Sequence, residues 1–232
     1  MKDVPSALIV AAHPDDEVLG CGGTVARLAS EGAKVTSVIL GEGAASRHAE
    51  ESSGNGVATE VEALRDSARR AAEILGAAAP IFFGLPDNQL DSLPTLEIVQ
   101  RVEGVIADLG PSVIFTHSLA DLNIDHRVAH QAVVTASRPV GVCPVMAIYA
   151  FETQSSTEWG AVSTSRGFSP VKYVDISGHL ETKLDALKAY ESEMRDFPHP
   201  RSFEAVDALA KVRGSHAGFH AAEAFEVILE RH

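Results

Sequence analysis

Cysteine is almost missing from this chain, with only Cys21 and Cys143 among 232 residues. Two distant thiols make no disulfide framework. The fold must then rest on a hydrophobic core, and a reducing, cytoplasmic setting is expected. Basic residues are scarce as well. Nineteen Lys and Arg face 32 Asp and Glu, for a net charge of −13. That argues against nucleic acid as a partner, because its binders carry a basic footprint, and against docking on an anionic membrane surface. Any basic pocket must be local, for instance around Arg195, Arg201 and Arg213. No apolar run approaches the ~18 residues of a membrane span. The opening residues do not read as a secretory signal. There is no proline-rich linker, repeat or low-complexity tract. What remains, 45% hydrophobic and 22% charged, is the composition of a globular protein.

Short apolar runs alternate with amphipathic ones. Strands are predicted over 6–12, 34–40, 80–83 and 112–116. Helices are predicted over 17–32, 59–75, 94–109 and 126–137, the third opened by Pro94 and closed by Gly110. This order implies parallel pairing through right-handed crossovers, with helices on both faces. The expected fold is a single α/β domain over 1–232, a Rossmann-like three-layer sandwich with a mainly parallel sheet. Its core spans 1–150 and a C-terminal elaboration spans 151–232. Past the core, strands are predicted at 145–151 and 171–176, and helices at 179–194, 203–212 and 222–230. The stretch 41–58 is polar, Gly/Ser-rich and aperiodic. It reads as a long loop, either a plain surface connection or a lid over a site.

The chemistry concentrates in two places. His13-Pro14-Asp15-Asp16-Glu17 directly follows the first strand. Ligands in open α/β sheets bind at the carboxyl ends of strands, and crowding carboxylates there is costly without a cation. A second cluster, His117 through Asp121, Asn123, Asp125 and His126 to His130, follows the fourth strand. If those strands are neighbours, the clusters face each other. His13, one carboxylate of the Asp15/Asp16 pair, and His126 then supply three ligands. Three ligands plus an open position is the catalytic zinc pattern. Read separately, each cluster could also be a helix start, with Asp15 or Asp125 as cap.

The sequence Ala12-His13-Pro14-Asp15-Asp16-Glu17, with Asp125-His126 after a later strand, resembles the zinc-dependent de-N-acetylases of the LmbE-like, or PIG-L, family. Gly20, Gly22, Gly23, Ile74-Leu75-Gly76, Arg213-Gly214 and Ala222-Glu223-Ala224-Phe225 extend the match. The resemblance implies one zinc ion held by His13, Asp16 and His126, with Asp15 as general base and Asp125 orienting a neighbouring group. It implies hydrolysis of the N-acetyl group of an amino sugar or its conjugate. The partner would be that small molecule, with no nucleic acid and no membrane, and self-association is left open.

One position departs from the family pattern. Where many members carry a histidine, this chain has Asn123. An amide can donate a hydrogen bond to an oxyanion but is no proton donor. Either Asp15 shuttles the proton, or His130 or His117 fills in. Pro198-His199-Pro200-Arg201-Ser202 reads as a rigid connector, or as a segment bringing Arg201 or His199 to the site. Arg201 and Arg213 are candidate substrate-binding residues, suited to a nucleotide or other anionic substituent; Glu223 has the same standing. His48, His179, His216, His220 and His232 read as structural or solvated.

No dinucleotide fingerprint, phosphate loop or nucleophile elbow is present. The alternatives are a receiver-like signalling module, which Asp87 fits poorly as phosphoacceptor, and a non-catalytic metal-binding module.

Overall fold

Every other residue of the first strand belongs to a different core, and this pattern organises the molecule. In the computed structural model, which describes residues 4–43, 54–141, 143–160 and 167–231, strand β1 (Ser6–Ala11) sends Ala7 and Ile9 into one apolar cluster and Leu8 and Val10 into another. Successive strand side chains point to opposite faces. A strand apolar on both faces is therefore buried on both, as parallel sheets covered by helices require.

Helix α1 (Asp16–Ser30), β2 (Lys34–Gly41), α2 (Gly54–Leu75), β3 (Ile81–Leu85), α3 (Thr95–Leu109), β4 (Val113–His117), α4 (Ile124–Ala136) and β5 (Ala147–Phe151) follow in order. The remainder adds α5 (Thr157–Gly160), β6 (Lys172–Asp175), α6 (Leu180–Lys188), α7 (Phe203–Ala217) and β7 (Ala222–Glu230). All seven strands form one sheet in the order β3-β2-β1-β4-β5-β7-β6. The pairings from β3 to β5 are parallel, and β7 runs antiparallel to both β5 and β6. Helices α1, α2, α6 and α7 contribute to one core and α3 and α4 to the other. No helix among the described residues is long and apolar enough to cross a membrane.

β1 pairs with β2 on one side and β4 on the other. The order reverses there, which opens a crevice at the carboxyl ends of β1 and β4. Helix α1 starts at that crevice and is broken at Cys21 (φ −148°, ψ 22°). A Cβ on Gly20 would lie 2.2 Å from the Phe151 ring, so only glycine lets α1 settle this closely on β5. The break is held from the far end of the chain. Glu223 accepts the N–H groups of Gly23 and Thr24 at 2.9 and 2.7 Å, and Lys183 donates to Leu19 O and Glu223 Oε1 at 2.8 and 2.6 Å.

Three expectations need correction. Residues 222–230 are a strand and not a helix. AEAFEVILE is rich in helix formers, but pairing on both edges with β5 and β6 overrides propensity. The helix predicted over 179–194 stops at Lys188, where the ladder tightens to i→i−3 bonds from Ala189 and Tyr190. Of the predicted loop 41–58, residues 44–53 lie outside the described residues, and 54–58 already belong to α2.

Candidate metal centre and active site

Three side chains converge where β1 and β4 end, His13 from the turn after β1, Asp16 from the start of α1 and His126 from the first turn of α4. One ligand atom each from His13, Asp16 and His126 lies within 4.8 Å of the others. Asp16 Oδ2 sits 3.4 Å from His13 Nδ1 and 3.3 Å from His126 Nε2. Its other oxygen, Oδ1, is buried without a hydrogen-bond partner. A buried carboxylate with one oxygen unpartnered and the other facing two imidazole nitrogens is what a cation would satisfy. Two nitrogens and an oxygen suit zinc or a similar divalent ion.

Charge points the same way. Asp15, Asp16, Asp87, Asp121 and Asp125 are all buried here. The side chains lining the adjoining cleft, of about 190 Å³, are His13, Pro14, Asp15, Asp87, Asn88, Asn123, Glu193 and Arg201, with Arg201 the one guanidinium. Burial alone would lower the pKa of His13, yet hydrogen bonds to Asp125 and Asp16 raise it to about 10. Burial opposes protonation of His126 as well, and Asp16 and Asp121 bring it up to about 9. The carboxylates thus draw positive charge onto the histidines when nothing else supplies it.

Further groups orient these three. Asp125 accepts from Leu90 N–H through Oδ1 at 3.0 Å and approaches His13 Nε2 through Oδ2 at 3.1 Å. Asp121 Oδ1 lies 3.1 Å from His126 Nδ1, and its carboxylate is held by the hydroxyls of Ser156 and Thr157. Carboxylates behind ligand histidines fix ring orientation. Asp87, after β3, stands 3.3 Å from His13 Nε2. Neither Asp121 nor Asp87 is among the site residues expected from sequence. Asp121 lay inside the second cluster, and Asp87 only in a Pro-Asp-Asn turn with no periodic signal.

Asp15 sits at the N-cap of α1 but makes no side-chain cap bond, and its backbone is unusual, with φ 104° and ψ −31°. A non-glycine residue held there costs of order 1–3 kcal/mol and persists only where neighbours over-determine it. Its carboxylate instead accepts from Arg201 Nη1 at 2.8 Å. Burial pushes the Asp15 pKa up to about 7 despite the pull of Arg201.

Arg201 therefore reaches the site, donating also to Ser155 Oγ at 2.7 Å. His199 is turned to its own loop, where Nδ1 accepts from Arg201 N–H at 3.1 Å. Arg213 is not brought there. It is locked to Glu152 by two hydrogen bonds of 2.7 and 2.6 Å and lines a different cavity, shared with Lys183 and Glu223. Asn123 lines the cleft and caps α4, its Oδ1 accepting from Asp125 N–H at 2.8 Å while Nδ2 donates to Asn88 at 3.2 Å. The two histidines considered as proton donors are turned to other partners, His117 through both ring nitrogens and His130 through Nδ1. His117 Nε2 accepts from Ala12 N–H at 2.9 Å, Nδ1 lies 3.1 Å from Thr153 Oγ1, and burial drops its pKa to about 3. His130 Nδ1 bonds the His117 carbonyl at 2.8 Å.

Residues 8–137, which carry both clusters, match the family model PIG-L, described as GlcNAc-PI de-N-acetylase. The chain belongs to the PIG-L family. By family it is a deacetylase, a hydrolase of an amide C–N bond. It is 28% identical over 191 residues to the uncharacterized deacetylase YaiS of Escherichia coli, covering 80% of this chain and 90% of that one. It is 27% identical over 197 residues to the diacetylchitobiose deacetylase of Thermococcus kodakarensis, covering 83% and 71%. One relative differs in reaction. The 4-oxalmesaconate hydratase of Pseudomonas putida is 30% identical over 201 residues, covering 79% and 72%. The crystal structure of GalB, the 4-carboxy-2-hydroxymuconate hydratase of that organism, superposes with a TM-score of 0.77 at 25% identity, covering 98% and 97%. The N,N'-diacetylchitobiose deacetylase of Pyrococcus horikoshii shares the fold, with a TM-score of 0.73 at 23% identity, covering 98% and 85%.

Proposed function

We propose that the protein is a zinc-dependent de-N-acetylase acting on an N-acetylated amino sugar or a conjugate of one, with His13, Asp16 and His126 holding the metal and Asp15 acting as base. The observation that carries this reading is the buried Asp16 carboxylate, whose Oδ2 lies 3.4 and 3.3 Å from the His13 and His126 imidazoles while its Oδ1 has no hydrogen-bond partner, set beside Asp15, whose pKa burial pushes up to about 7, in a PIG-L chain. Zinc bound there would supply a Lewis acid for the acetamide carbonyl and lower the pKa of water toward ~7.

The chain's own groups do the rest. Asp15 removes the proton from the attacking water, a step that works best when the base titrates near the working pH. Arg201 steers Asp15 by holding Oδ2, and an anionic substituent on the substrate would meet its remaining N–H groups. Asn123 gives one amide proton to Asn88 and has a second for the carbonyl oxygen as it becomes anionic. The leaving amine needs a proton. Asp15 lines the cleft and His117 and His130 do not, so Asp15 is the group that returns it.

The test is a panel of N-acetylated amino sugars, glycosides and anionic conjugates, scored for acetate release after zinc loading. Release of acetate with an equivalent of free amine supports the reading. The hydratase relative supports a second one, in which the same site adds water to an unsaturated di- or tricarboxylate. Loss of conjugated absorbance from such substrates, with no acetate released from the sugar panel, would favour it.

A further inference from the structure

We infer that Tyr190 and Glu17 are positioning residues that aim Asp15 into the cleft, a role that rests on the reading of Asp15 as the base. Three observations converge. Asp15 occupies a backbone region that L side chains rarely adopt, φ 104°. Its N–H donates to Glu17 Oε2 at 3.1 Å. The other oxygen, Glu17 Oε1, accepts the Tyr190 hydroxyl at 2.5 Å.

Tyr190 is fully buried in the core and anchors this chain of bonds there. A buried Tyr–Glu bond elsewhere would serve packing alone. Here its far end is the amide of the residue whose carboxylate lines the cleft. Fixing that amide sets the peptide plane between Pro14 and Asp15, and with it the direction of the Asp15 Cβ. The Asp15 carbonyl is also held, accepting from Val18 and Leu19 N–H at 3.1 and 2.9 Å. Rotation is thus blocked from both sides. Tyr190 lies outside residues 8–137, the segment the family model matches. The aim of Asp15 therefore depends on the C-terminal part of the chain, which also supplies Arg201.

The experiment compares Tyr190→Phe, Glu17→Gln and the double variant in the full-length, zinc-loaded protein. Misplacing a reacting group or removing its support typically costs ~10- to 100-fold in rate. Each single variant should lose kcat on that scale, with KM changed less than about twofold and metal content unchanged. The double variant should be no worse than either single one, because both act through one route. Unchanged kcat in Tyr190→Phe, or losses that multiply in the double variant as independent packing defects would, overturns the inference. A second readout needs no substrate. Crystal structures should show Asp15 at positive φ in the wild type and relaxed to negative φ in Tyr190→Phe, or in Glu17→Gln if the first variant does not fold. Asp15 kept at positive φ in both variants overturns the inference. Absence of acetate release by the wild type counts against the proposed function, while the backbone of Asp15 still decides the positioning role.

Discussion

Replacing Glu223 by Ala would undo the tie that holds the break in α1. The carboxylate is only 5% exposed and accepts three donors, Gly23 N, Thr24 N and the Lys183 ammonium, at 2.9, 2.7 and 2.6 Å. Removing one partner of a buried ion pair costs ~3–5 kcal/mol, because the other charge is left uncompensated. Orphaning a buried N–H costs ~1–3 kcal/mol, though the three losses share one site and do not add. Here Lys183 keeps Leu19 O as one acceptor, which keeps the sum inside the ion-pair range, at about 4 kcal/mol. For a chain of this size each kcal/mol moves Tm by ~2–4 °C, so a fall of roughly 8–16 °C is expected. Urea unfolding followed by circular dichroism measures the free energy, and a thermal scan measures Tm. Adding Lys183→Met should recover part of the loss, since an apolar side chain replaces the stranded charge. A Glu223→Ala cost below about 1 kcal/mol, the scale of an exposed pair, would refute the reasoning. So would a double variant no more stable than the single one.

Other outcomes follow from the site. Wild-type protein dialysed against zinc should carry one equivalent by elemental analysis, and His13→Ala or His126→Ala should lose most of it. Asp15→Asn should keep its metal and lose ~100- to 10,000-fold in rate, the usual worth of a general base; loss of metal together with activity would make Asp15 a ligand. Asn123→Asp keeps a capping oxygen for Asp125 N–H but removes the amide donor, so kcat should fall ~100-fold with stability nearly intact, whereas Asn123→Ala should also lose ~1 kcal/mol of stability through the lost cap. Full activity in Asn123→Asp would assign oxyanion stabilisation to another group.

The parallel half of the sheet could be read from sequence because its strands are short apolar runs flanked by helix stops, and the five pairing strands β1 to β5 lie close to their expected positions. At the antiparallel edge, β6 lies within the strand expected over 171–176, but β7 is not legible. β7 mixes Ala, Glu and Leu, which favour helix, with Phe, Val and Ile, and its two partner strands, one of them 70 or more residues away, decide for strand. The same limit applies at the site. His13, Asp15, Asp16 and His126 stand in compact motifs at strand ends. The groups that orient them come from afar: Arg201, a candidate on its Pro-His-Pro-Arg segment, meets Asp15 across 186 positions, and Tyr190, which carries no signal in the sequence, meets Glu17 across 173. Arg213, expected from its C-terminal segment to meet an anion, lies away from this cleft and donates one hydrogen bond each from Nε and Nη2 to Glu152.

The most direct test of the central claim is the product balance of the zinc-loaded enzyme on an N-acetylated amino sugar or conjugate, run beside Asp15→Asn at equal metal content. The account predicts acetate and free amine appearing one for one with the wild type, and at least ~100-fold more slowly with the variant. Equal release by both proteins, or addition of water without cleavage of the C–N bond, would contradict it.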